Sequence, residues 1–155
     1  MRTVEQLLAG VPALAALSEE HRGVIAGCAR NRTFEAETYL LREGEPADVF
    51  FVIRRGLVAL ETFAPQRGPL TLQSLHDSDL LGWSWLVPPY RVAFDARALV
   101  RTHTVCFDAA CLRGKCEHDA ALGYDLLKLF AAVIVARLQN TRMQLLDVYG
   151  SVASG

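Results

Sequence analysis

The sequence predicts a mainly β domain with flanking helices: a sandwich or jelly-roll barrel set between short N-terminal helices and one long C-terminal helix. Three observations lead there. From Asn31 to Asp108 the chain breaks into short β-like runs separated by turn residues. The segments on either side carry apolar residues at helical spacing. No internal repeat, low-complexity tract or flexible linker divides the chain.

At the N-terminus, Val4–Leu8 has a helical pattern, and Gly10 with Pro12 breaks the following stretch into short helical pieces. Ser18 suits an N-cap for a helix reaching Ala29, with Val24, Ile25 and Cys28 on its buried face. Strands are expected at Thr33–Ala36, Thr38–Arg42, Val49–Arg54, Leu57–Phe63, Leu70–Leu75, Arg91–Leu99 and His103–Phe107. Gly44-Glu45-Pro46, Arg55-Gly56 and the loop Ala64–Pro69 punctuate them. Helical spacing returns after Asp108, first over Ala109–Glu117 and then over a long run, Ala120–Tyr149. In that run Leu127, Ala131, Ile134, Leu138 and Leu145 form one apolar stripe, beside a second of Leu126, Phe130 and Val133. Two adjacent stripes make a wider face than one barrel contact needs, so a parallel homodimer along this helix is expected. Residues 1–150 read as one domain, with 151–155 a short loose tail.

Composition narrows the function classes. At 155 residues, 52% hydrophobic and 21% charged, the chain can build a real core and is not a disordered segment. A net charge of −1 supplies no basic footprint for nucleic acid, so direct DNA binding is not expected. No apolar run reaches the roughly 18 residues of a membrane span. Leu7–Leu17 has the length of a signal-peptide core, but Glu5 spoils the basic leader, and the expected location is the cytoplasm. His21, His76, His103 and His118 are dispersed, and no serine or cysteine sits in a nucleophile motif. Asp77 and Asp79 read as solvated loop carboxylates, so no enzyme activity is expected.

Cys28, Cys106, Cys111 and Cys116 lack the paired spacing of a zinc site. On one helix Cys111 and Cys116 would lie about 140° apart and could not converge on an ion. They read as small buried hydrophobes in a reducing compartment, with no metal.

The stretch Leu81–Ala96, LGWSWLVPPYRVAFDA, carries the candidate site. A glycine-opened turn aims backbone N–H groups at an anion, and a nearby arginine adds a forked, charge-assisted contact. Gly82 permits close backbone approach, Ser84 adds a hydroxyl, and Trp83 and Trp85 offer faces to a base. A lone Arg91 beside Val92 at a strand start is otherwise an ordinary surface residue.

In residue order this stretch resembles the phosphate-binding cassette of the cyclic nucleotide-binding domain, as in the Crp/Fnr regulators, roughly F-G-E-x-x-L-L, a spacer, then R-x-A-x-V-x-A. Gly82, Leu86, Arg91, Ala93 and Ala96 fall on matching positions. Trp83 stands where the family has the glutamate that contacts the ribose 2′-hydroxyl, and the spacer, with Pro88-Pro89, is shorter. Gly44–Gly56 resembles the family's turn–strand–turn signature, and Arg137-Leu138-Gln139-Asn140-Thr141 its R-L-Q-x-T helix stretch. The resemblance implies a double-stranded β-helix, or jelly roll, and no cofactor. It implies cyclic AMP, cyclic GMP or a related anionic nucleotide as ligand, with Arg137 near the phosphate and Thr141 at the base. The implied ligand set is Gly82, Trp83, Ser84, Trp85, Arg91, Val92, Arg137 and Thr141. With six residues after Tyr149, no helix-turn-helix is expected. The alternative is a domain that binds no nucleotide and serves as a docking module for an unidentified protein, with Trp83 packed inside.

Overall fold

The computed structural model describes residues 3–154, with side chains to 150. Residues 1–2 of the expected domain and Gly155 of the expected tail lie outside them. Three short helices open the chain: α1 (Val4–Ala9), α2 (Pro12–Ala15) and α3 (Glu19–Ala26). Thr3 and Gln6 form a reciprocal capping box on α1, proline occupies the first turn of α2, and the Ser18 side chain accepts the His21 N–H at α3. Eight strands follow: β1 (Ala29–Phe34), β2 (Tyr39–Leu41), β3 (Val49–Arg55), β4 (Val58–Ala64), β5 (Gly68–Leu75), β6 (Leu80–Leu81), β7 (Asp95–Ala98) and β8 (Thr102–Asp108). A short 3-10 helix, Ser84–Leu86, lies between β6 and β7; α4 (Ala109–His118) and α5 (Ala120–Ser154) end the chain.

The strands form two four-stranded antiparallel sheets, ordered β1-β8-β3-β6 and β2-β7-β4-β5, the jelly-roll arrangement that the strand pattern predicts. β3 is buried on both faces, which is why Val49–Ile53 is an unbroken apolar run rather than an alternation. Phe51 points one way and meets the Phe34 ring edge-on, with centroids 5.5 Å apart. Phe50 points the other way, stacking on its cross-strand partner Phe107 at 4.3 Å and meeting Phe130 of α5 edge-on at 5.0 Å. Helices therefore cover the Phe50 face. His21 ties α3 to α5 through Asp125, Nδ1 to Oδ2 at 3.1 Å. Gly56 closes the β3–β4 turn at φ +145°, where a Cβ would lie 2.4 Å from Thr102 Oγ1 and only glycine fits.

Several boundaries differ from the sequence pattern. α3 ends at Ala26, and Ala29–Asn31 join β1 because Phe107–Val105 of β8 pair with them. Only Asp95–Ala98 of the expected Arg91–Leu99 strand joins a sheet. Arg91 and Val92 pair instead with the Gly44–Pro46 turn, through a bridge to Pro46 and hydrogen bonds of 2.8 and 2.9 Å between Val92 and Gly44 and Glu45. Instead of a loose tail, α5 continues through Gly150 to Ser154.

The expectation of four reduced cysteines is overturned. Cys28 and Cys111 form a disulfide across a sequence separation of 83, joining the end of the N-terminal helices to α4; Cys106 and Cys116 are free. Sequence spacing cannot reveal this pair, because the pairing of β1 with β8 is what brings the two together. Reducing this bond, or substituting Cys28→Ala and Cys111→Ala together, is expected to lower the unfolding free energy by about 2–4 kcal/mol. Urea denaturation with and without a dithiol measures it.

In the second sheet the buried Glu61 carboxylate accepts from Arg97 Nε at 2.9 Å and Nη2 at 3.0 Å, while Arg97 Nη1 bonds Glu37. The Arg97 hydrogen bonds hold Glu61 below its ordinary 4.5, against the opposite push of burial. A carboxyl depressed in the folded state contributes stability above its unfolded value and loses it as pH falls. Stability is thus expected to drop as pH falls below 4.5 and Glu61 protonates. Glu61→Gln flattens that acid limb in denaturation curves recorded across pH.

Candidate functional site

The candidate site forms where α5 crosses the second sheet. Phe130 packs under Phe50 and fixes the start of α5, and Gln144 Nε2 donates to Leu72 O of β5 at 2.5 Å farther along. Between these two anchors lies a cavity of about 230 Å³. Leu60, Leu72 and Phe94 line it from the sheet side, and Ile134 and Leu138 from the helix. The polar lining is Gln73, Arg137 and Thr141. The Trp83 indole forms a further wall, edge-on to Phe94 with centroids 6.4 Å apart.

Arg137 is the charged group of this cavity. Its Nη2 donates to the Leu80 carbonyl, while its Nη1 is buried with no acceptor among the described residues. Burial lowers the guanidinium to about 10, and the charge of Asp79 opposes that shift. Thr141, one turn on, donates its hydroxyl to the Arg137 carbonyl at 3.0 Å.

The sequence-predicted residues divide into two groups. Trp83, Arg137 and Thr141 come together at the cavity. Gly82, Ser84, Trp85, Arg91 and Val92 do not line it. Trp85 offers no face to a ligand: it is fully buried, stacked on Phe50 at 5.1 Å and edge-on to Phe130 at 5.5 Å, with Nε1 unpaired. Trp83 caps the 3-10 helix and Trp85 lies within it, so the two side chains point different ways: Trp85 completes the core and Trp83 walls the cavity. Ser84 is buried, and Val92 is spent on the turn pairing described above. Gly82 adopts φ +96°, a left-handed conformation, close beside Leu41 and Phe50. The first hydrogen bond of the 3-10 helix runs from Leu86 N–H to Trp83 O, so the Ser84 and Trp85 amides precede its ladder.

Arg91 is exposed, its Nη1 3.5 Å from the Gly44 carbonyl, and it does not converge with Arg137. The bridge to Pro46 aims its segment at the turn instead. The sequence reading missed Leu60, Leu72, Gln73 and Phe94. Of these, Phe94 alone had a signal, its place within the cassette; the other three depend on how α5 packs over the second sheet. Among the described residues no group of three or more His, Cys, Asp or Glu could hold a metal ion. None of the described helices is long and apolar enough to cross a membrane.

A putative cyclic nucleotide-binding protein from Geobacter metallireducens has a similar structure, with TM-score 0.78 and 28% identity, covering 89% of this chain and 99% of that one. The N-terminal domain of a transcriptional regulator from Streptomyces coelicolor aligns with TM-score 0.68 and 22% identity, over 84% and 93% of the two chains. The regulatory subunit of a cAMP-independent protein kinase A from Trypanosoma cruzi, bound to guanosine, aligns with TM-score 0.68 and 21% identity, over 81% of this chain and 44% of that one. No curated protein matches the sequence. The profile of the cyclic nucleotide-binding domain matches residues 31–119, more than half of the chain. Together with the jelly roll and the cassette residues, this makes the chain a member of the cyclic nucleotide-binding domain family.

Proposed function

We propose that this is a regulatory domain that takes a cyclic nucleotide, or a related anionic nucleotide, into the cavity beneath α5 and transmits occupancy through that helix. The observation that carries the reading is Arg137, whose side chain lines an apolar cavity while its Nη1 is buried without an acceptor among the described residues, to be uncovered when α5 or Trp83 moves. A cation desolvated in this way costs several kcal/mol unless paired, and an anionic ligand supplies the missing acceptor. Trp83 and Phe94 offer aromatic faces for a purine, and Thr141 and Gln73 offer hydrogen-bonding groups for its edge. A relative of this fold is described as bound to guanosine, which makes purines the ligand class to test.

The cavity is smaller than the roughly 300–1,000 Å³ of ordinary ligand pockets. Entry of a nucleotide therefore displaces the Trp83 indole, α5, or both, and that displacement is the signal. α5 is suited to carry it. From Leu138 to Gly150 every residue of α5 is exposed. Leu127, Ala131, Ile134, Leu138, Thr141, Leu145 and Val148 recur at alternating spacings of four and three, the repeat of a helix-pairing seam. Pairing with a second copy covers Leu138 and Leu145, which are 66% and 55% exposed in the single chain. Thr141 lies on both the seam and the cavity, so ligand binding and helix pairing are coupled there.

Calorimetry with cyclic AMP, cyclic GMP and guanosine tests the ligand. Saturable heat is expected for a cyclic nucleotide, with weaker binding of uncharged guanosine. Arg137→Met is expected to weaken nucleotide binding by about ten- to a hundredfold. It should leave the ligand-free domain as stable as before, or more stable, because a desolvated charge is removed. Absence of heat with all three compounds at millimolar concentration counts against the reading. Light scattering at micromolar protein is expected to give a dimer mass, and Leu138→Glu with Leu145→Glu a monomer.

A further inference from the structure

A cleft of about 520 Å³ lies between the N-terminal helices and the first sheet. Its apolar wall is the partly exposed Leu7, backed by the buried Leu8 and Val11. Facing them are Arg54 and Arg55 of β3 and His103 of β8. Arg55 and His103 are cross-strand partners, and the register shift between Ile53 and Arg55 inserts Arg54 as an extra residue. That bulge allows two consecutive arginines to line one cleft, where regular alternation would send them to opposite faces.

The charges there are not neutralised by the protein. Arg54 Nη1 donates to the neutral Asn31 Oδ1 at 3.1 Å, and His103 Nδ1 lies 3.1 Å from Thr33 Oγ1. Neither Arg54 nor Arg55 has a carboxylate within ion-pair distance among the described residues. No aspartate or glutamate lines the cleft. In a chain of net charge −1, this is a local concentration of unpaired donors beside an apolar wall.

We propose that the cleft is a second ligand site, distinct from the cavity at Arg137, for a phosphomonoester bearing an apolar or aromatic group. Two neighbouring guanidinium forks present more N–H donors than one carboxylate can accept, whereas a phosphate offers three terminal oxygens to both arginines. His103 adds a ring nitrogen on the same side. The organic group of the ester lies along the exposed part of that wall, Leu7 and Gly10, covering apolar surface that neither inorganic phosphate nor a bare sugar phosphate would reach.

Phenyl phosphate titrated into the full chain, followed by calorimetry and by amide chemical shifts, is the test. Inorganic phosphate and phenol are the comparison probes. Saturable binding of phenyl phosphate is expected, tighter than either comparison compound, with shifts centred on residues 7–11, 54–55 and 103. Arg54→Ser with Arg55→Ser is expected to weaken it at least tenfold. Both side chains are exposed, so the fold is expected to survive; an unchanged thermal melt checks this. Arg54→Lys with Arg55→Lys, which keeps charge and surface, is expected to weaken binding by a smaller factor through loss of the forks. Arg137→Met is expected to leave phenyl phosphate binding intact, which separates this site from the nucleotide cavity. No saturation at millimolar phenyl phosphate, equal binding of inorganic phosphate, or undiminished binding in the double serine variant overturns the proposal.

Discussion

Phe50 holds together the elements of this domain that frame the candidate cavity. Its ring stacks on Phe107 from β8 and on Trp85 from the 3-10 helix, and meets Phe130 of α5 edge-on. Aromatic pairs contribute roughly 0.5–1.5 kcal/mol each beyond the area they bury. More important here is their directionality, since each ring comes from a different element. The cluster fixes the start of α5 against the first sheet and holds the 3-10 helix by its second tryptophan. Once Trp85 is drawn inward, Trp83 is left for the cavity wall.

Two buried donors record what this packing costs. Trp85 Nε1 and Arg137 Nη1 have no acceptor among the described residues. A buried unsatisfied donor costs about 1–3 kcal/mol, and more when charged. The indole nitrogen is hemmed in by rings, so its loss is the consequence of completing the aromatic cluster. Arg137 is different, because its side chain also lines a cavity, whereas Trp85 lies wholly within the core. Trp83 adds an aromatic wall to the same cavity that Arg137 lines.

Much of the architecture was legible along the chain. The Gly44–Gly56 turn-strand-turn, the unbroken apolar run of β3, the Ser18 cap and the long stripe on α5 are local patterns with local causes. Arg137 and Thr141 were legible through the likeness of Arg137–Thr141 to the family's R-L-Q-x-T stretch, and, being four residues apart, they share one face of the helix wherever it goes. Trp85 was not: adjacent aromatic residues in a short turn carry no mark of which one faces the core. Arg91 was misplaced for a similar reason. Its β-like surroundings suggested a sheet strand, but its pairing partners were the Gly44–Pro46 turn, more than half the barrel away in sequence.

Taken alone, the sequence determined the class of fold and the order of its elements. These depend on periodicity, caps and turns, whose range is a few residues. Tertiary structure decided everything that needs distant segments to meet. It paired Cys28 with Cys111, assigned the two tryptophans opposite roles, withdrew Arg91 from the cavity and left Arg137 without a full set of acceptors. It also gathered Arg54, Arg55 and His103 opposite the N-terminal helices, because a bulge and a strand register have no counterpart in composition.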